Sequence, residues 1–147
     1  MDFMKKYEYW LNSDSIDEKD KEELRGLKDN LKEIEDRFFK DLSFGTGGIR
    51  GVRGIGTNRI NKYVIRKATQ GLANYMLKFD EKLAKEKGII IAHDCRIGSR
   101  EYALNTARVM AANGIKAYIY ESLRSTPELS FGVRYKGCMS GIVVTAS

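Results

Sequence analysis

From Gly88 onward, short apolar runs alternate with segments of helical period, and this alternation constrains the fold more than any other feature of the chain. Ile89, Ile90, Ile91 and Ala92 form a continuous apolar run of the buried-strand kind. A helix is predicted next, with Ser99 as its N-cap, Ala103, Ala107, Met110 and Ala111 turned inward, and Gly114 as its stop. Lys116 to Tyr120 reads as a second strand. A second helix has Thr126 as N-cap and Pro127 at its first position, runs through Leu129, Phe131 and Val133, and stops at Gly137. Ile142, Val143 and Val144 form a third strand. Strand, helix, strand, helix, strand at near-equal spacing predicts parallel strands, right-handed crossovers and helices packed on the sheet.

Upstream, Leu24, Leu27, Leu31, Ile34 and Phe38 recur at three- and four-residue steps and line one helical face. Ser15 and Glu18 have the spacing of a capping box, while Gly26 and the Asn30/Glu33 pair leave one helix or two open. A longer helical pattern of Val64, Ala68, Leu72, Tyr75/Met76, Phe79 and Leu83 runs from about Asn61 to Lys87 and is ended by Gly88. Charge divides along the same lines. Residues 1–43 carry a net charge of −4 and residues 44–147 a net +10. Seven cations stand between Phe44 and Phe79 with no acid among them, which predicts an anionic partner: a phosphorylated metabolite, a nucleic acid or an acidic neighbouring domain.

Ligands of open α/β sheets bind beyond the carboxyl ends of the strands, so the segments to examine are 93–100, 121–128 and 145–147. The chain stops within three residues of a buried strand, which reads as part of something larger. A second place for chemistry is FGTGGIRGVRGIG, where six of the fourteen glycines fall within twelve residues. Such a segment lets backbone N–H groups approach an anion, with Arg50 and Arg53 as charged donors. It reads equally as a glycine-rich hairpin joining arm to domain. It matches neither the P-loop nor the dinucleotide fingerprint. His93 follows the first strand as a structural hydrogen-bonder or as a base for Ser147, and Asp94 with Arg96 or Arg100 forms a loop-shaping ion pair. Ser147, following the last strand on the ligand edge of the sheet, reads as a better candidate for a phosphoryl acceptor than for an acyl nucleophile, because no G-x-S-x-G elbow surrounds it.

Four ordered motifs, FGTGGIRG at 44–51, IAHDCRIGS at 91–99, STPELSF at 125–131 and GIVVTAS at 141–147, together resemble the first domain of the α-D-phosphohexomutase superfamily. The resemblance is closest to its phosphoglucomutase and phosphopentomutase-like branch, whose helical arm contains the Trp10-Leu11 pair. It implies an α/β fold: a three-layer α/β/α domain over 44–147 with a mainly parallel mixed sheet, preceded by an N-terminal helical arm over 1–43. It also implies a phosphosugar mutase that interconverts hexose 1-phosphate and 6-phosphate, with glucose as the expected sugar. Ser147 matches the phosphorylated serine, Arg50 the glycine-loop arginine near that phosphate, and Thr46, Gly47 and Gly48 the phosphate-binding loop. Magnesium would bind through the Ser147 phosphate, and glucose 1,6-bisphosphate would be intermediate and activator. The family's His-Asn-Pro after the serine, its aspartate-rich metal loop, its sugar-discriminating loop and its phosphate-gripping fourth domain are not in this sequence. The chain is therefore expected to be inactive alone and to have the other domains of its own chain as partners. The family often writes arginine or tyrosine at the position of His93, which keeps His93 outside the expected catalytic set.

The runner-up is a nucleic-acid module, suggested by the sequence pI near 9.3 and by Gly51-Val52-Arg53-Gly54, which matches a KH-type GxxG. The single Trp and most of the tyrosines lie outside the basic loop, so no aromatic platform for stacked bases is expected there. With 147 residues, 42% hydrophobic and 31% charged, and a mean hydropathy of −0.44, disordered and collagen-like classes are excluded. No apolar run spans a bilayer and no apolar signal stretch follows the amino terminus, so no membrane partner and a cytoplasmic location are expected. Cys95 and Cys138 with one His fall short of a structural zinc site and are expected as buried thiols.

Overall fold

The structure, a computed structural model, describes residues 2–145, so Ser147 lies outside the described residues. The chain divides into two compact units, one ending at Val64 and the other beginning at Ile65. In the first, α1 (Asp2–Asn12), α2 (Glu18–Arg25) and α3 (Leu31–Phe38) precede a small hairpin of β1 (Phe44–Gly45) and β2 (Gly48–Ile49). The arm therefore contains two helices where one or two were open, and a third ahead of them. Asn30 caps α3 by accepting from the Glu33 amide at 3.2 Å. The expected Ser15–Glu18 capping box does not form. Asp17 occupies the N-cap position of α2, and its carboxylate pairs with Lys62 instead of bonding the first turn. Leu31 is exposed, because α3 starts there and turns Ile34 and Phe38 inward. Tyr7, Trp10, Ile16, Leu24, Ile34 and Phe38 make the core of this unit. Phe38 meets Tyr7 and Trp10 edge-on, with ring centroids 5.8 and 5.6 Å away.

α4 (Lys62–Lys87) leads into the second unit and is broken at Asp80, whose φ of −160° and ψ of 98° are extended. Asp80 Oδ1 recaps the remaining turns by accepting from the Leu83 amide at 2.9 Å. Thr69, Ala73 and Met76 face inward, so the neighbouring stripe of Tyr75 and Phe79, expected inside, is exposed and stacks on itself.

The second unit's sheet has the order β4 (Ala117–Ile119), β3 (Ile89–His93), β5 (Ser140–Val144), and both pairings are parallel. Among the described residues the antiparallel ladder is the β1–β2 hairpin, outside this sheet. Ile89 packs with Met110 and Ile115 on one face, whereas Ile90 and Ala92 pack with Leu129 and Val133 on the other. Thus α5 (Ser99–Ala112) and α6 (Thr126–Lys136) cover opposite faces and complete three layers.

Both helix starts correct the sequence reading by one residue. Gly98, with φ of +88°, is the N-cap of α5, and Ser99 is its buried first residue. Ser125 caps α6 through a reciprocal capping box with Glu128, which moves Thr126 and Pro127 inside the helix. On α5, Ala111 is exposed and Asn105 and Thr106 are buried instead. Asn105 accepts from Arg66 Nε at 2.7 Å, and Thr106 donates to the Tyr102 carbonyl at 3.0 Å. Phe131 is also exposed, stacked on Tyr135. Neither cysteine is fully buried. Cys95 is exposed in the turn after β3, and Cys138 is half-buried beneath α6, where desolvation pushes its thiol pKa up.

Gly88 ends α4 and opens β3 with φ of +67°, and a Cβ there would lie 2.3 Å from the Lys116 carbonyl oxygen. Gly88→Ala is therefore expected to destabilise the second unit by at least about 2 kcal/mol, from the left-handed backbone and the clash together. Urea midpoints followed by far-UV circular dichroism measure this; an unchanged midpoint would contradict the close approach.

Candidate functional site

In the first unit the glycine-rich segment has a free tip and a pinned base. Phe44 pairs with Ile49 and Gly45 with Gly48, which leaves Thr46-Gly47 as a two-residue turn. Gly47 and Gly48 have φ of +82° and +124°, and a Cβ on either would meet nothing within 4 Å. Backbone conformation, and not crowding, is what calls for glycine there. Thr46, Gly47 and Arg50 are exposed, and among the described residues the Arg50 guanidinium has no hydrogen bond or ion pair.

The base is held by Asn61, which is 3% exposed. Its amide donates to the Gly54 and Gly56 carbonyls at 2.9 Å each, while its Oδ1 caps α4 by accepting from the Val64 amide at 2.9 Å. Arg59 is buried and paired with Asp36, and Lys62 is paired with Asp17. The hydrogen bond from Lys62 to Asp17 raises the lysine's pKa above its ordinary value. Two of the seven cations that pointed to an external anion are thus matched by acids of the arm. Net charge along the sequence could not show this pairing; the acidic arm placed just before a basic stretch was the available signal.

In the second unit the strand ends are tied together by the backbone. The Arg124 amide donates to the His93 carbonyl at 3.1 Å, and the Asp94 amide to the Val144 carbonyl at 3.1 Å. Of the two partners expected for Asp94, the structure selects Arg96: Oδ1 accepts from the Arg96 amide at 3.0 Å and Oδ2 from its Nη1 at 3.3 Å. His93 ends the central strand opposite Val144, is 6% exposed, and has its Nδ1 3.1 Å from the Asp94 carbonyl oxygen. Its Nε2 is buried without a hydrogen-bond partner among the described residues. Ser147 comes three positions after Val144 in sequence, outside the described residues. No group of three or more His, Cys, Asp or Glu residues suited to a metal ion occurs among the described residues. None of the described helices is long and apolar enough to cross a membrane.

Comparison with known proteins adds family context to these two regions. Residues 41–147 match the family described as phosphoglucomutase/phosphomannomutase, alpha/beta/alpha domain I. A phosphoglucomutase of Staphylococcus haemolyticus is 39% identical over 113 residues, covering 77% of this chain and 20% of that protein. Those of Staphylococcus saprophyticus and Staphylococcus aureus strain bovine RF122 are 42% and 41% identical over 106 and 115 residues. They cover 72% and 78% of this chain and 18% and 20% of their own lengths. The chain therefore spans about a fifth of the length of the curated relatives it matches. No solved structure matches it significantly.

Proposed function

Given that the chain belongs to the phosphoglucomutase/phosphomannomutase family, whose α/β/α domain I it carries over residues 41–147, we propose that it is the phosphoryl-carrying domain of a phosphosugar mutase. The reaction interconverts hexose 1-phosphate and hexose 6-phosphate, with glucose as the sugar. The observation that carries this reading is the domain match running through the parallel sheet into GIVVTAS, so that Ser147 comes after a strand of the ligand-binding edge in sequence.

In the proposed cycle the phosphoryl group leaves Ser147 Oγ for a sugar hydroxyl, whose proton ends on the serine oxygen. The bisphosphorylated sugar, glucose 1,6-bisphosphate, turns over, and its other phosphoryl group moves to Ser147 Oγ as the released sugar oxygen gains the proton. Arg50 acts on the charge of the transferring group, since a planar guanidinium fits two phosphate oxygens at once. The Thr46-Gly47-Gly48 turn offers backbone N–H groups to the same anion. Magnesium, implied by the family, is not fitted by a ready donor set among the described residues, and no step here passes through it. The nucleic-acid reading loses weight because Arg59 and Lys62 are already paired within the first unit.

Protein isolated at native length from the cells that make it is expected to carry phosphate on the Ser147 peptide, and a bare Ser147 in an active preparation would refute the assignment. The 147-residue chain alone is expected to show no conversion of glucose 1-phosphate above a mock-purified control, because most of the length of its relatives lies outside it. Arg50→Lys at native length should lower kcat by roughly 10-fold or more with a smaller change in KM, because lysine keeps the charge and loses the bidentate fork. Equal kcat for the two proteins would remove Arg50 from the phosphoryl site.

A further inference from the structure

Asn61 does more than its place at the start of α4 requires. Serine, threonine and aspartate cap helices about as well as asparagine, because a cap needs only an acceptor for a first-turn amide. Asn61 Oδ1 fills that role for the Val64 amide at 2.9 Å. Of these side chains only asparagine also carries an NH2 group, and Asn61 directs it at the carbonyls of Gly54 and Gly56, each at 2.9 Å. Gly56 is buried, so losing this donor strips a desolvated acceptor and forces the loop to rearrange.

A short run of contacts within the first unit joins this clamp to Arg50. The amide of Ile60, next to Asn61, donates to the Val52 carbonyl at 2.8 Å, and the Gly54 amide donates to the Ile60 carbonyl at 3.1 Å. The Leu42 amide donates to the Thr57 carbonyl of the same loop at 3.0 Å. Gly51 fits between the two: a Cβ there would lie 2.8 Å from Leu42 Cδ1 and 3.5 Å from Ile60 Cγ1. Arg50 precedes Gly51 and follows Ile49, which pairs with Phe44 in the hairpin. The backbone is therefore held on both sides of an exposed guanidinium. Two parallel bonds to a phosphate demand such a fixed origin, since small misplacements of a charged donor are felt strongly in turnover.

We infer that Asn61 is a positioning residue for Arg50: by tying Gly54 and Gly56 to the start of α4 it keeps Gly51 seated between Leu42 and Ile60, which sets where Arg50 meets the transferring phosphoryl group. This rests on the phosphosugar reading above.

Two variants separate the clamp from the cap. Asn61→Ser keeps an acceptor for the Val64 amide but has one hydrogen for two carbonyls, whereas Asn61→Ala loses both functions. At native length both should lower kcat about 10-fold with a smaller change in KM, although the alanine variant melts at a lower temperature. In an Arg50→Ala background, Asn61→Ser should change kcat by less than about 2-fold, because nothing is left to position. In the 15N-labelled 147-residue chain, the heteronuclear 15N–1H NOE of Arg50 and Gly51 should match that of α3, and Asn61→Ser should lower it there while α3 keeps its value. A low NOE at Gly51 in the unsubstituted chain, an unchanged NOE in the serine variant, kcat values that follow the melting order of the two variants, or an equal fall in kcat with and without Arg50 would each overturn the inference. Lost turnover in Arg50→Ala beside a silent Asn61→Ser would sink this inference alone, whereas full turnover in Arg50→Ala would sink the Arg50 reading on which it rests.

Discussion

Ser147→Ala at native length is expected to reduce mutase turnover to below detection and to remove phosphate from the corresponding peptide. Alanine has no oxygen to form the Oγ–P bond, so the loss is of the bond-forming atom itself and no neighbouring charge can compensate. The accompanying change in stability should be small, within about 0.5 kcal/mol, because the substitution removes one hydroxyl and keeps the Cβ. A coupled assay for glucose 6-phosphate and a thermal melt, run on the same preparation, separate the two effects. Residual turnover above a few per cent would mean that another group carries the phosphoryl.

Phe38→Ala is expected to cost about 3–5 kcal/mol, the range for emptying an aromatic site in a packed core. Phe38 is fully buried and fills the angle between Tyr7 and Trp10, whose ring in turn meets Tyr63 at 5.4 Å. The first unit ends at Val64, and a core of that size has little stability in reserve. Trp10 is the only tryptophan, so its emission reads this unit alone. The variant should show a red-shifted emission without denaturant while far-UV dichroism from the second unit persists. Native-like emission would show that α1 and α3 close over the cavity.

What the sequence made legible came from periodicity. The isoleucine run and the glycines at 88 and 137 mark elements whose local chemistry and tertiary role agree. The starts of α5 and α6 were misread at local signals, Gly98 and the Ser125/Glu128 pair, whereas other misreadings fall where tertiary contacts choose between local options. Asp17 was available as a cap and as an ion-pair partner, and Lys62, forty-five residues away, takes it. Phe79 looks like core by spacing alone, yet Asp80 interrupts the helix and the inward stripe is one residue over. For the site, the glycine turn and the strand-end segments were visible as composition and position. The clamp by Asn61 was not, since a single amide serving two carbonyls and a helix cap leaves no pattern in sequence. Nor was the bare nitrogen of His93, because a ring tautomer is set by which carbonyl the neighbouring residue presents.

The sheet order has a consequence for how the protein is made. β3 is synthesised first of the three strands and ends between the other two, so one of its edges stays vacant until β5 leaves the ribosome. During that interval Ile90 and Ala92 stay uncovered until α6 is complete at Lys136, and the ladder from Ile89 to His93 has no partner on the β5 side. An open, apolar strand edge on a nascent chain invites pairing with other chains. Pauses in translation between codons 93 and 140 should therefore lower soluble yield more than equal pauses placed within the first sixty codons, where the arm closes its own core.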